Sequence, residues 1–355
     1  MAKALIAMSG GVDSSVAAYL TLQAGYEGIG CTMQLHNNTI DSGDDTCGSA
    51  SDAADARAIA ERLGIPHYIF DFTEDFHKQV IGKFIQYYQC GKTPNPCIEC
   101  NRHLKFEKLL TQAQALGCDK IVTGHYAQIV ETKNGFQLRR GADASKDQSY
   151  VLYMLTQAQL AHILLPLGGL TKTEVRGLAE AQGFVNAHKH DSQDICFVPD
   201  GDYAQIIQTH TGEIPEAGDF VDLQGNVIGR HKGLIHYTIG QRRGLGIAIG
   251  KPAYVCGLDA PQNRVIIGTN DDLFTDSCTV EAVNWISGIP PQTPVHCQAK
   301  IRYRHPAQSA TVTFIDDHTA RLKFDLPQRA ITAGQAAVFY DGEIVLGGGE
   351  ISSVP

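Results

Sequence analysis

Along the first 200 residues, short apolar runs alternate with longer stretches whose apolar positions recur at helical spacing. Ala4–Met8 predicts a strand, and Ser14–Ala24 a helix closed by Gly25. Gly28–Gln34 and His67–Phe72 predict further strands, with an Ala-rich helix at Ser51–Leu63 between them, stopped by Gly64-Ile65-Pro66. Glu74–Tyr88 predicts a helix with acidic residues in its first turn, where the macrodipole favours them. Lys105–Leu116 predicts another, ended by Gly117, before a strand at Lys120–Thr123. Thr171-x-x-Glu174 is a capping box opening a helix that runs through Ala181. Strands alternating with helices argue for an α/β fold, a doubly wound parallel sheet with helices on both faces.

After residue 200 the pattern becomes β-like throughout. Phe220–Leu223 and Val227–Ile228 flank a Gln224-Gly225-Asn226 turn, and Ala337–Tyr340 and Glu343–Leu346 flank Asp341-Gly342, the dipeptide that hairpins prefer. Further β stretches are expected at Ala253–Leu258, Val265–Ile267, Thr279–Val283, Val295–Tyr303 and Ala310–Phe314. The chain therefore divides into residues 1–200, a small β-rich module at 201–268 and a β-barrel at 269–355. The length, 355 residues, exceeds what one hydrophobic core usually supports, which agrees with such a division. Trp285 is expected in the core of the β half.

Composition narrows the setting. No apolar run reaches the roughly 18–20 residues that span a bilayer, and the apolar N-terminal run breaks too early for a signal peptide. Ten cysteines in a chain this long are too sparse for a disulfide scaffold, so the expected setting is the cytoplasm, away from membranes. The net charge is −9, with 17 basic and 22 acidic residues in 1–200 against 12 and 16 in 201–355. That excludes a protein basic all over. Yet Leu223–Leu258 holds no acid against Arg230, Lys232, Arg242, Arg243 and Lys251, and Ala282–Ile315 none against Lys300, Arg302 and Arg304. Two acid-free stretches in an acidic chain suggest a positive strip facing a polyanion, with chance clustering on a solvated face as the alternative.

Ser9-Gly10-Gly11-Val12-Asp13-Ser14-Ser15 lies between the first strand and the first helix. Paired glycines let backbone approach a phosphate closely, and the helix start supplies free N–H groups. Asp13 beside phosphate implies Mg²⁺ between them. The P-loop pattern with its lysine is absent, so this loop would grip pyrophosphate rather than position a γ-phosphoryl group. The string resembles the PP-loop of ATP pyrophosphatases, enzymes that adenylate an oxygen and release pyrophosphate.

Cysteines choose among substrates. In Gly91-Lys92-Thr93-Pro94-Asn95-Pro96-Cys97-Ile98-Glu99-Cys100-Asn101 two prolines predict a stiff, projecting loop, and Cys196 lies in a second loop, Asp191–Pro199. One thiol could carry a persulfide and another resolve it. Competing readings are a zinc half-site using Cys97 and Cys100 with Cys90 or His103, a redox pair, or inert buried thiols. His103, His188 and His190 are expected as solvated side chains.

These segments, with Gly64-Ile65-Pro66-His67-Tyr68, Thr123-Gly124-His125-Tyr126, Lys146-Asp147-Gln148-Ser149-Tyr150, His236–Gly244 and Lys300-Ile301-Arg302-Tyr303-Arg304, occur in the order in which they stand in tRNA-specific 2-thiouridylases. The chain resembles that family over essentially its whole length. The resemblance implies ATP, with Mg²⁺, held by Ala7, Met8, Ser9, Gly10, Gly11, Val12, Asp13, Ser14 and Ser15, its adenine end near Met33 and Gly124. It implies catalysis by Cys196 as persulfide carrier, Cys100 as partner thiol and Asp13, with Cys97 as runner-up nucleophile. Contacts to tRNA are implied for Asn95, Pro96, Cys97, His125, Lys146, Asp147, Gln148, Arg302, Tyr303, Arg304 and Gln335. A persulfide-donating carrier protein and a monomeric state are implied as well. Well-known members carry Asp where this chain has Cys97, so any role of that carboxylate moves elsewhere, with Glu99 as the nearest acid. The rival readings are another adenylating ligase acting on a small molecule and a non-catalytic zinc- or RNA-binding module.

Overall fold

A computed structural model describes residues 1–36, 50–189, 195–198, 201–247, 250 and 252–354. Cys47, Asp191–Asp194, His190, Pro199 and Lys251, which figure in the sequence readings, lie outside the described residues. The first part supplies strands β1 (Lys3–Ala7), β2 (Glu27–Gln34), β3 (His67–Asp71), β4 (Lys120–Val122), β5 (Ala127–Thr132), β6 (Gly135–Arg140) and β7 (Ile163–Leu164). Five of them form a sheet in the order β3-β2-β1-β4-β7, parallel at every pairing. Alternation along β1 sends neighbouring side chains to opposite faces. Ala4 and Ile6 pack against Val16 and Ala17 of the helix Val12–Gln23, Ile59 of Ala50–Leu63 and Val175 of Lys172–Ala181. Leu5 faces the other way, onto Phe76, Phe84, Leu104 and Phe106. The sheet is doubly wound, as expected, and the capping box at Thr171 is formed with both of its bonds.

The remainder adds β8 (Gly218–Val221), β9 (Val227–His231), β10 (Tyr254–Asp259) and β11 (Arg264–Gly268), a four-stranded sheet in the order β10-β11-β8-β9. It then adds β12 (Phe274–Trp285), β13 (Val295–Lys300), β14 (Gln308–Phe314), β15 (Ala320–Arg329), β16 (Ala336–Asp341) and β17 (Ile344–Ser353). These run in the order β12-β15-β14-β13-β16-β17, and pairing of β12 with β17 closes a six-stranded barrel. Trp285 sits in its core, with ring centroids 5.4 Å from Phe314 and 5.6 Å from Phe339.

Four expectations are corrected. The β5–β6 hairpin interrupts the alternation of strands and helices, and β6 joins β17 through Arg139 and Ile344, so the first part extends the barrel's sheet. The region after residue 200 is not all β: Asp202 caps a helix at Tyr203–Thr211 that Gly212 ends at φ 69°. The strand expected through Tyr303 stops at Lys300, because the Arg302 guanidinium donates to Ala330 O and Thr332 Oγ1 and draws residues 301–305 into a turn. The proline segment is not a loop up to Asn101. Pro96, with φ preset and no N–H to lose, begins a helix that continues through a π-helical stretch, Cys100–Lys108, to Ala115.

Candidate functional site

Beyond β1 the chain turns tightly into the helix Val12–Gln23, and Gly10 adopts φ 74° there. A Cβ on Gly10 would collide with the backbone of Asp52, so the turn and the start of the helix Ala50–Leu63 are packed backbone to backbone. The Ser9 N–H donates to Ser14 Oγ at 3.1 Å, and the Ser14 and Ser15 hydroxyls donate to Gly11 O at 3.0 and 3.1 Å. Gly11, at the N-cap, offers no side-chain acceptor, which leaves the first-turn N–H groups to an anion. Asn186 braces the loop from behind, its Nδ2 donating to Gly10 O at 2.8 Å and to Ser15 Oγ at 2.9 Å.

Asp13 is fully engaged. Lys172 Nζ lies 2.8 Å from both carboxylate oxygens, and the Tyr126 hydroxyl donates to Oδ1 at 2.7 Å. The lysine missing from the loop's sequence is thus supplied by the first residue of a distant helix. A second lysine, Lys189, bridges Asp52 at 2.8 Å and Asp55 at 2.7 Å.

Two cavities meet at this loop. One, of about 210 Å³, is lined by Ala7, Met8, Ser9, Ser14, Met33, Gly124 and His125 among others. Gly124 has no room for a Cβ, which would meet Asp13 C at 2.9 Å and Ser14 N at 3.0 Å. His125 is buried with its Nδ1 2.7 Å from Thr123 Oγ1, and burial, with Lys105 nearby, holds its pKa well below the usual histidine value. The second cavity, about 980 Å³, runs from Ser9, Gly11 and Asp13 to Lys146, Asp147, Gln148, Tyr303 and Arg304. Ser9, Asp13 and Gln148 line both.

The other sequence candidates sit differently. Arg302 is spent on Ala330 and Thr332 and does not line the cleft. Gln335 Nε2 donates to Thr93 O at 2.9 Å and Pro94 O at 3.2 Å, which braces the chain ahead of Asn95 and Pro96. Cys97 is exposed on the first helical turn and within electrostatic reach of Tyr303 and Cys100. Burial pushes the Cys100 thiol up, and Lys105 partly opposes it. Glu99, between the two cysteines, is buried with Oε1 2.9 Å from Lys83 Nζ and Oε2 3.3 Å from His103 Nε2. Its carboxylate is already held on the side of Lys83. Cys196 is anchored by its neighbour Phe197, whose ring meets Phe76 and Phe84 edge-on at 5.8 and 5.1 Å. Cys100 and Cys196 pack against the same apolar cluster. Among the described residues no three His, Cys, Asp or Glu side chains are grouped to hold a metal.

Sequence reasoning missed Lys172, Asn186, Arg140 and the anchoring role of Tyr126. Lys172 left one signal: a lysine in a first helical turn opposes the macrodipole unless a carboxylate faces it.

Residues 2–200 match a family model described as the tRNA methyl transferase HUP domain. Residues 204–269 match the tRNA methyl transferase PRC-barrel domain and 275–351 the aminomethyltransferase beta-barrel domain. The tRNA-specific 2-thiouridylase MnmA of Lachnoclostridium phytofermentans is 49% identical over 357 residues, covering 99% of each chain. The protein of the same name from Magnetococcus marinus is 49% identical over 98% of each chain, and that from Clostridioides difficile 47% over 98% of each.

Proposed function

The chain belongs to the tRNA-specific 2-thiouridylase family, and from that premise we propose that it is an ATP-dependent sulfurtransferase converting the wobble uridine of tRNA to 2-thiouridine. One observation carries the mechanism: the small cavity behind the glycine loop and the wide cleft share Ser9, Asp13 and Gln148. A nucleotide in the first and a base in the second would meet at that boundary.

The residues fit ATP. Gly10 and Gly124 clear backbone that any side chain would block, and the uncapped first turn behind Gly11 offers N–H groups to phosphate. Met33 and Gly124 would border the adenine end, and Lys172 would supply the cation that the loop lacks. Asp13 would hold Mg²⁺ arriving with the nucleotide once Lys172 leaves its carboxylate for the phosphates. ATP supplies an adenylyl group to O2 of the uracil, making that oxygen a leaving group. Lys146, Asp147, Gln148, Tyr303 and Arg304 would hold the RNA side of the cleft.

Sulfur would come from Cys196 as a persulfide, loaded by a carrier protein in the cytoplasm. Its terminal sulfur forms a bond to C2 as AMP leaves with the former oxygen. The Cys100 thiolate then attacks Sγ of Cys196, the bond from Cys196 to the sulfur on C2 breaks, and that sulfur leaves as 2-thiouridine while a Cys100–Cys196 disulfide forms; the two electrons come from the cysteine pair. Burial pushes the Cys100 thiol up, and Lys105 partly opposes it.

The reading is tested by measuring AMP and pyrophosphate release with and without unmodified tRNA. Release that depends on a tRNA with uridine at the wobble position is expected. Release that tRNA does not stimulate would point to a small-molecule ligase instead.

A further inference from the structure

The cleft wall between the β5–β6 hairpin and the barrel carries two cations that form no salt bridge among the described residues. Arg140 ends β6, and its guanidinium carbon lies 4.2 Å from the ring centroid of the buried Tyr340. Its Nε and Nη2 are buried with no acceptor among the described residues. Lys300 ends β13, its Nζ 5.8 Å from the Tyr150 ring and 5.9 Å from that of Tyr303. Burial pulls the Lys300 pKa down, Asp147 raises it and Arg140 lowers it further, so the two cations feel each other.

Asp147 is the carboxylate nearest in effect, and it is committed elsewhere. Its Oδ1 accepts from the N–H groups of Gly141 at 3.2 Å and Ser149 at 3.0 Å, and Oδ2 from Ser149 Oγ at 3.1 Å. Aromatic faces stabilise both cations only in part. Buried guanidinium donors are destabilising while they lack an acceptor. Both cations line the wide cleft that begins at the glycine loop.

We propose that Arg140 and Lys300 form a phosphodiester-binding subsite that grips an RNA backbone phosphate flanking the base delivered to the glycine loop. A guanidinium fork matches two phosphate oxygens, and an ammonium beside it adds charge without geometry. The inference rests on the proposed tRNA substrate and adds the group that the cleft recognises next to the reacting base.

The test measures tRNA and ATP binding separately for wild type, Arg140→Gln, Arg140→Lys and Lys300→Gln. The tRNA is an otherwise unmodified chain, or one carrying a single 2′-O-methyl methylphosphonate on either side of the wobble uridine. Arg140→Gln and Lys300→Gln should each weaken tRNA binding about tenfold and shallow its salt dependence by about one phosphate, with ATP affinity unchanged. Arg140→Lys should keep the salt slope but not the full affinity. Neutralising one of the two phosphates should weaken wild type about tenfold and Arg140→Gln by less than about twofold.

Equal losses for wild type and Arg140→Gln at both phosphates would overturn the subsite. So would a loss of ATP affinity with tRNA binding intact, which would give the pair to the nucleotide's phosphates. Wild type that prefers this tRNA over no unrelated RNA would defeat the functional reading as well. Should Arg140→Gln fail to fold, Lys300→Gln and Arg140→Lys carry the same comparison.

Discussion

Lys172 opens a helix where the dipole disfavours a cation, and it stays because both oxygens of Asp13 face it at 2.8 Å. That pair fits a site whose charge is balanced internally until a polyphosphate arrives. Lys172→Ala should raise the KM for ATP about tenfold, with Lys172→Arg intermediate; steady-state pyrophosphate release measures both. An unchanged KM would remove Lys172 from the nucleotide site. The cysteines differ in setting: Cys97 is exposed, whereas Cys100 and Cys196 share an apolar cluster. Cys100→Ser and Cys196→Ser should each abolish thiolation, and Cys97→Ser only slow it, by mass analysis of the product nucleoside. The loop Ser9–Ser15 was legible because its residue types and its position between strand and helix are local. Asn186 and Lys172 were not, because they come to the loop across more than 150 residues of chain.

Elements place these groups. Four of the five strands of the parallel sheet and the Thr171 cap follow from apolar runs and a capping box, whereas β7, two residues long, left no such run. Where sequence misled, a local rule met a tertiary partner. Pro96 reads as a loop-stiffener beside Pro94, yet at a first helical position it nucleates the helix that presents Cys97 and Cys100. The run Val295–Tyr303 looks continuous, but Arg302 finds carbonyl and hydroxyl acceptors around Thr332 and ends the strand. That break turns Tyr303 and Arg304 toward the cleft. The strand-to-loop junction at Gly124 is equally sensitive. Gly124→Ala would press on Asp13 C, now at 2.9 Å, so ATP affinity should fall more than about tenfold while tRNA binding persists. Equal ATP binding by Gly124→Ala, measured by calorimetry, would show that the helix start yields freely.

At the scale of the molecule, a net charge of −9 sits beside a cleft in which Arg140, Lys146, Lys189, Lys300 and Arg304 face Asp13, Asp52, Asp147 and Glu343. Binding of tRNA should weaken with salt, with a slope matching few phosphate contacts. A salt-insensitive affinity would contradict phosphate contacts by these basic side chains. The acid side has its own signature. Burial lowers the pKa of His36, His67, His125, His231, His236 and His305 below the ordinary value of 6.5. Below about pH 6.5 the unfolded chain therefore binds more protons than the folded one, and stability falls as pH drops. Urea midpoints at about pH 7.5 and about pH 5.5 should show that loss, and His125→Gln should reduce it. The barrel and the α/β part were legible separately. Their union was not, since the hairpin by which the first part extends the barrel's sheet depends on Arg139 meeting Ile344 far along the chain.

The central claim is that this cleft delivers sulfur to a tRNA base through Cys196 at the expense of ATP. It is tested most directly by incubating the protein with unmodified tRNA, ATP and a labelled persulfide donor, then counting label in the wobble nucleoside. The account predicts incorporation that requires ATP and is lost in Cys196→Ser. Full incorporation by Cys196→Ser, or incorporation without ATP, would contradict it.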